Sequence, residues 1–209
     1  MNTRTLALGL MLAQMTLGAS AGPITFDDRN DFENQGTIAE FQDFESFAPG
    51  IFTSPGDPFV DGSVTYTSPG ENLIVGADTF INPLSNTMSY EEIGTSLTAD
   101  LAGNFTMFAL DMAINNQGNV LADVTLTIFT NVSAYLFDFT LPEVQDAQLF
   151  QGFVLTGNEF FTGFEFSALD FVHIDNVTLG TTVAVPEPPV LLLVMAGTLL
   201  MRVVRRRRR

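Results

Sequence analysis

The chain has 209 residues, with 24 acidic against 8 basic residues, one histidine, no cysteine and a formal net charge of −16. Between Gly22 and Val185 one basic residue, Arg29, stands against 23 acidic residues, so this body carries about −22 and repels phosphate backbones. We therefore expect no nucleic-acid partner, and the missing lysine and cysteine exclude a P-loop, a Schiff base and a Cys/His zinc site.

The first 21 residues have the three parts of a secretory signal peptide. Arg4 gives a basic start, residues 6–17 are an apolar run, and Ala19-Ser20-Ala21 fits the small-x-small rule for cleavage. We predict export of the chain and a mature protein that begins at Gly22. A short membrane anchor that is never cleaved is the alternative.

The body, residues 22–184, has the pattern of an all-β domain. Residues 124–128 alternate apolar and polar side chains, which is typical of a half-buried strand, and residues 173–179 form another strand candidate. Residues 105–113 are apolar on both faces. This indicates a strand between two layers, or one whose outer face is covered.

A further strand is predicted at residues 160–166, with Phe160, Phe164 and Phe166 on one face. Turn signals recur between the predicted strands, at Pro49-Gly50, Pro55-Gly56, Asp61-Gly62, Pro69-Gly70 and Gly157-Asn158. Short strands at this spacing predict a two-sheet β-sandwich.

Phenylalanine dominates the aromatic residues: the body holds all 20 Phe, with three Tyr and no Trp. Since the phenyl ring has no polar group, we predict that most of these rings fill the core. A stacking platform for sugars is the alternative, although such platforms favour Trp and Tyr. The spacing of Phe41, Phe44, Phe47 and Phe52 predicts a short helix or an irregular segment under a sheet edge.

Three short strings of the body carry a resemblance. They are residues 24–28 (ITFDD), residues 44–47 (FESF) and residues 173–179 (HIDNVTL). They are similar to the opening and closing strings of jelly-roll carbohydrate-binding modules. In that family the first and last strands lie side by side, and their carboxylates share a structural calcium ion.

The resemblance implies that Glu45 and Asp175 bind Ca²⁺, with Asp27 or Asp28 as an alternative to Glu45. Calcium takes six to eight oxygen ligands, so backbone carbonyls or water would complete the set. The alternative without a metal is that Asp175 and Asn176 cap the strand and the early acids are solvated.

No catalytic constellation stands out in the sequence. His173 lies near Ser167, Asp170 and Asp175, but the G-x-S-x-G motif of serine hydrolases is absent. The 23 acids offer many carboxylate pairs for glycoside hydrolysis, and nothing singles out one pair. We predict no catalytic residues; a secreted hydrolase is the least favoured function.

Residues 185–209 end the chain with a VPEPP string, an apolar run and a basic tail. Residues 189–204 would form roughly 24 Å of helix, which is short for a membrane span of about 20 residues. By the positive-inside rule the basic tail stays cytoplasmic. The residues of this cytoplasmic retention signal are Arg205, Arg206, Arg207, Arg208 and Arg209.

This order of motif, short span and basic tail resembles the PEP-CTERM sorting signal of Gram-negative bacteria. Pro186, Glu187 and Pro188 match the motif residue by residue, whereas Pro189 stands where the family usually has Ser or Thr. In that family a membrane transpeptidase, exosortase, processes this segment. A plain tail anchor is the alternative.

These features predict an exported, non-enzymatic cell-surface or extracellular-matrix protein. Its parts would be a signal peptide (1–21), a β-sandwich (22–184) and a sorting segment with a membrane-spanning helix (185–209). The resemblance implies exosortase, transiently the inner membrane, and extracellular polysaccharide as partners. The alternative function is a calcium-stabilised carbohydrate-binding module.

Overall fold

The part of the chain that the computed structural model describes comprises residues 22–48, 50–70, 72–77, 86–90, 96–115, 122–141, 148–168 and 171–183. The predicted signal peptide and the predicted sorting segment lie outside these residues. Within the described ranges, no helix has the length and apolar character needed to cross a membrane.

The described residues form one short helix and a series of strands. These are β1 (Ile24–Phe26), α1 (Arg29–Glu33), β2 (Gly36–Gln42), β3 (Ile51–Thr53), β4 (Phe59–Asp61), β5 (Val64–Thr67), β6 (Leu73–Ala77), β7 (Asn86–Tyr90), β8 (Ser96–Phe105), β9 (Met107–Asn115), β10 (Ala122–Thr130), β11 (Ala134–Leu141), β12 (Leu149–Val154), β13 (Phe161–Ala168) and β14 (Phe171–Thr182).

The strands make two antiparallel sheets. The larger sheet has the order β1-β12-β9-β14-β7-β6-β3, and β2 pairs with β14 next to β7. The smaller sheet has the order β11-β10-β13-β8-β5-β4. The prediction of an all-β, two-sheet sandwich is therefore confirmed.

The core lies between the two sheets and is rich in phenylalanine. The ring of Phe108 on β9 stacks on Phe164 of β13 at 4.8 Å and on Phe153 of β12 at 6.0 Å, measured between centroids. These three rings join the two sheets through the centre of the sandwich. They support the prediction that phenylalanine takes the place of aliphatic residues in the core.

Strand β10 has the alternation that its sequence predicts. Val124, Leu126 and Ile128 are buried in the core, whereas Thr125 and Thr127 are half-buried on the outer face of the smaller sheet. One face of this strand therefore packs on the core and the other meets solvent.

Strand β9 is instead buried on both faces. Phe108 and Leu110 belong to the main core, while Met107 and Ala109 pack on the opposite face in a second cluster with Phe32. Phe32 comes from α1, whose first turn is capped by the Asp28 carboxylate: Asp28 Oδ1 accepts a hydrogen bond from the Asp31 N–H at 3.0 Å. The sequence of β9 is apolar on both faces because α1 covers its outer face.

Two sequence predictions about phenylalanines need correction. Phe161, and not Phe160, faces the core with Phe164 and Phe166, because the pairing of β13 with β8 shifts register between Phe161 and Gly163. Such an irregularity changes which residues share a face. Of the two alternatives for the segment after Phe41, the irregular segment is confirmed and the helix is wrong, since β2 ends at Gln42 and an irregular turn follows it.

The implied side-by-side packing of first and last strands holds for β2 and not for β1. Strand β2 pairs with β14 from Gln42 to Gly36, which places the turn containing Glu45 beside the middle of β14. Strand β1 pairs with β12, and β9 separates β12 from β14. Asp27, which follows β1, is therefore not on a strand adjacent to Asp175.

Candidate functional site

The outer face of the larger sheet, opposite the core, carries buried polar side chains on β9 and β14. Asp175 lies opposite Asp111 in the register of these two strands. The register then shifts before Thr178, and Asn176 within the shift has φ 52°, a left-handed conformation that asparagine tolerates better than most residues. This bulge turns the Asn176 amide toward Asp111, and Nδ2 donates to Asp111 Oδ2 at 2.7 Å.

Arg29 completes a network that joins the N-terminal segment to both strands. Its Nη2 donates to Asp111 Oδ2 at 2.9 Å, and its Nη1 donates to Thr178 Oγ1 at 3.3 Å. Thr178 Oγ1 in turn donates to the carbonyl oxygen of Asn176 at 3.0 Å. We call Arg29, Asp111, Asn176 and Thr178 the Arg29 network.

Two phenyl rings flank the guanidinium group of Arg29. Its central carbon lies 4.6 Å from the ring centroid of Phe150 and 5.9 Å from that of Phe41. Phe41 stands opposite Thr178 on β2 and is 53% exposed, in contrast to the core rings. An accessible aromatic ring therefore lies beside a fixed guanidinium group. We call Phe41, Arg29 and Thr178 the Phe41 site.

His173 lies further along β14, in a second group of buried polar side chains with Thr87 and Ser89. Its Nδ1 is 3.1 Å from Thr87 Oγ1. Ser167 is exposed on β13 of the smaller sheet, so the core separates it from His173. The structure thus does not bring this serine and histidine together; Asp170 lies outside the described residues.

The residues proposed to hold calcium are engaged in local hydrogen bonds. Glu45 is exposed and its Oε1 accepts from the Asn86 N–H at 2.7 Å. Asp175 is buried and its Oδ1 accepts from the Asn176 N–H at 2.7 Å. Asp28 caps α1, and Asp27 is exposed.

Among the described residues, no group of three or more Asp, Glu, His or Cys side chains has an arrangement that would hold a metal ion. The nearby cationic group that joins the N-terminal segment to the last strand is the guanidinium of Arg29. The assignment of Glu45, Asp175 and Asp27 as calcium ligands stays a prediction.

A group of acidic residues near the end of β2 differs from the Arg29 network, because its carboxylates lie near other acids. Burial raises the pKa of Asp61, and the negative charges of Asp43 and Glu40 raise it further. The neighbouring Tyr66 donates its hydroxyl to Gln42 Oε1 at 2.7 Å, and burial raises the Tyr66 pKa well above its usual value. Here carboxylates repel one another, whereas Asp111 has a cationic partner.

The outer face of the smaller sheet is a surface of short polar side chains. Thr67 and Thr98 share a hydrogen bond at 2.7 Å across β5 and β8, and Thr125 donates to Asp138 Oδ1 at 2.8 Å across β10 and β11. Its exposed apolar side chain on β11 is Leu136, which is 69% exposed. This face lacks the guanidinium group that marks the Phe41 site.

No protein-family model matches the sequence, and no curated protein matches it either. Several solved structures are similar to the chain at low sequence identity. A xylan-binding domain (CBM22-1) of Paenibacillus barcinonensis Xyn10C has a TM-score of 0.45 at 13% identity, covering 71% of this chain and 97% of that one. The K2 cleaved adhesin domain of Lys-gingipain has a TM-score of 0.44 at 11% identity, covering 68% and 97%.

A third structure, CsCBM6-3 of Clostridium stercorarium in complex with cellobiose, has a TM-score of 0.34 at 16% identity and covers 56% of this chain and 87% of that one. All three TM-scores lie below 0.5. The function proposed below therefore rests on the residues of this chain.

The sequence patterns did not indicate the Arg29 network or the exposed ring of Phe41. A signal for Arg29 was present, because a single basic residue in a body of 23 acids has an unusual number of candidate partners. No comparable signal distinguishes Phe41 from the other 19 phenylalanines.

Proposed function

We propose that this protein is an exported, non-enzymatic surface protein whose β-sandwich binds polysaccharide at the Phe41 site. The observation that carries the proposal is the exposed ring of Phe41 beside the half-buried guanidinium group of Arg29. Sugar recognition combines an apolar surface with a few hydrogen-bonding groups in fixed positions. Phe41 supplies the surface and Arg29 supplies the groups.

The geometry suits binding because Arg29 is held in place without using all its donors. A guanidinium group has five N–H donors, and two of them have partners in the described network, Asp111 and Thr178. Asp111 is oriented by Asn176 as well. The remaining N–H groups of Arg29 are therefore preorganised to donate to sugar hydroxyl groups while a sugar ring packs on Phe41.

Binding without cleavage fits the position of the nearby carboxylates. Asp111 and Asp175 face each other in register, and glycoside hydrolysis uses paired carboxylates. Both are buried, however, and Asp111 Oδ2 accepts hydrogen bonds from Arg29 and Asn176. Neither carboxylate is accessible to a glycosidic oxygen above the sheet.

Binding is tested with two variants that each remove an exposed apolar side chain. In affinity electrophoresis on gels with neutral polysaccharides, Phe41→Ala is expected to abolish retardation of the protein. Leu136→Ala, on the smaller sheet, is expected to retain it. Equal retardation of the two variants and the wild type would show that Phe41 does not bind the polymer.

We propose the PEP-CTERM route for display at the cell surface, with exosortase and the inner membrane as transient partners. The support is the order of Pro186, Glu187 and Pro188, a short apolar run and five terminal arginines. Processing there would release the sandwich from its membrane anchor to the surface or matrix of a Gram-negative cell. Residues 205–209 would hold the unprocessed end in the cytoplasm.

Sorting is tested by changing Pro186, Glu187 and Pro188 to Ala together. The full precursor is expected to accumulate in the membrane fraction, as it should in a host without exosortase. Pro189→Ser, which restores the residue type usual in that family, is the matched control and should be processed. If the triple variant is processed like the wild type, the segment is a plain anchor.

A further inference from the structure

We infer that the Phe41 site selects uncharged polysaccharides and rejects polymers that carry carboxylate or sulfate groups. The inference rests on the proposed function and adds the chemical class of the ligand. It follows from the charge balance at Arg29 and from the acids around it.

The positive charge of Arg29 is already balanced inside the protein. Its guanidinium group forms an ion pair with Asp111 at 2.9 Å, and the two side chains are 29% and 11% exposed. The neutral amide of Asn176 donates to the same Asp111 oxygen. The pair therefore presents N–H donors to a ligand with almost no net positive charge.

The surroundings of this pair are negative. Asp27, Asp28, Asp31 and Glu33 lie on or next to α1, the element that carries Arg29, and all four are exposed. They belong to a body with about 22 negative charges in excess. At low salt these charges repel an anionic polymer over distances of tens of ångströms.

A neutral polysaccharide meets no such barrier. Its hydroxyl groups accept hydrogen bonds from Arg29, and its C–H surfaces pack on the face of Phe41. A cationic polymer would be attracted to the whole acidic surface, so its binding would depend on salt and not on Phe41. The three classes of polymer thus differ in their dependence on salt and on Phe41.

The experiment measures binding of the purified chain to xylan, alginate and chitosan at about 0.01 M and about 1 M salt, where the screening length falls from about 30 to about 3 Å. Wild type, Phe41→Ala and Leu136→Ala are compared. We expect xylan binding that is insensitive to salt and at least tenfold weaker in Phe41→Ala only. At about 0.01 M salt alginate binding should be absent, and chitosan binding should weaken with salt equally in all three proteins.

The outcomes separate the inference from the function on which it rests. Alginate binding that depends on Phe41 and matches that of xylan would overturn the charge selection and leave polysaccharide binding intact. The absence of Phe41-dependent binding to xylan, alginate or chitosan would overturn the proposed function itself.

A charge-releasing variant sharpens the test. Asp111→Asn keeps the shape of the side chain but leaves the Arg29 charge without its counter-charge. Where circular dichroism shows that it is folded, it is expected to gain alginate binding at low salt. A folded Asp111→Asn protein that still rejects alginate would show that the ion pair does not determine the selection against anionic polymers. If the variant does not fold, the wild-type measurements test the inference.

Discussion

The outer faces of the two sheets differ in their exposure to solvent. On the smaller sheet, the side chains of β10 alternate between the core and the outer face. The outer face carries half-buried threonines such as Thr125 and Thr127. On the larger sheet, residues 107–113 of β9 have no exposed face, because Phe32 of α1 covers Met107 and Ala109 and Arg29 covers Asp111. One face is a solvated surface, and the other is a packed layer.

Segment 27–33 accounts for this difference between the two faces. Phe32 and Arg29, three positions apart in α1, cover the outer side of β9. The edge of that layer is where Phe41 remains accessible. If segment 27–33 covers only the larger sheet, substitutions on the two outer faces should change the free energy of unfolding by different amounts.

The largest effect is expected from removing the ring that covers the larger sheet. Phe32→Ala should lower the free energy of unfolding by about 3–5 kcal/mol, because the fully buried ring leaves a cavity over Met107 and Ala109. Thr127→Ala, on the solvated face, should change it by less than about 0.5 kcal/mol. Similar losses in urea unfolding of the two variants would remove the distinction between the faces.

The next largest effect on the free energy of unfolding is expected from breaking the Arg29–Asp111 ion pair. Arg29→Met should cost about 1–3 kcal/mol of unfolding free energy, since the Asp111 carboxylate loses its cationic partner while mostly buried. The double variant Arg29→Met/Asp111→Leu should recover part of this loss.

A double-mutant cycle compares this pair with an exposed one on the other face. Coupling between Arg29 and Asp111 should exceed that between Thr125 and Asp138, whose hydrogen bond is exposed. Equal coupling energies in the two cycles would contradict the account of the larger sheet as an interior.

A smaller effect is expected at Asp61, which has acids in place of a cation as neighbours. Its raised pKa means that the folded protein binds a proton more tightly there than the unfolded chain, so stability falls as pH rises from the usual carboxyl range through the raised pKa. Asp61→Asn removes this loss and should raise the unfolding free energy at pH 7 by less than about 1 kcal/mol.

The pH series contains its own control. In urea unfolding, the advantage of Asp61→Asn should shrink as pH falls below the usual carboxyl range, where Asp61 is protonated in both states. An advantage that is constant with pH would assign it to packing and not to charge.

The smallest effect is expected from chelation. Because Arg29 supplies the positive charge beside β14, EDTA should leave the melting temperature within about 1 °C of a sodium control at matched ionic strength. Asp175→Ala should respond in the same way as the wild type. A fall of several degrees in the wild type, absent from Asp175→Ala, would restore the calcium site predicted from the sequence.

The sequence predicted those parts of the fold that depend on local pattern. The alternation of residues 124–128 identified β10, and the pattern of residues 105–113, apolar on both faces, identified β9, which begins at Met107. It did not predict which phenylalanine of β13 faces the core, because a shift of register reverses the faces and leaves no mark in the pattern.

The candidate site could not be predicted from local sequence patterns, because its residues are far apart in the chain. Arg29 bonds to residues 82 and 149 positions away, and the order of strands in the larger sheet brings them together. The resemblance implied that the first and last strands lie side by side, which holds for β2 and β14 and not for β1. It also implied a calcium ion between them, which stays a prediction. The described contact of segment 27–33 with β14 is made by Arg29.

Titration of the isotope-labelled protein with xylohexaose, followed by NMR, identifies the residues that contact a neutral oligosaccharide. The account predicts chemical-shift changes at the amides of Phe41 and Thr178 and at the Arg29 side chain, with none at Thr98 or Thr127 of the smaller sheet. Changes confined to the smaller sheet would contradict it, as would a spectrum that xylohexaose leaves unchanged.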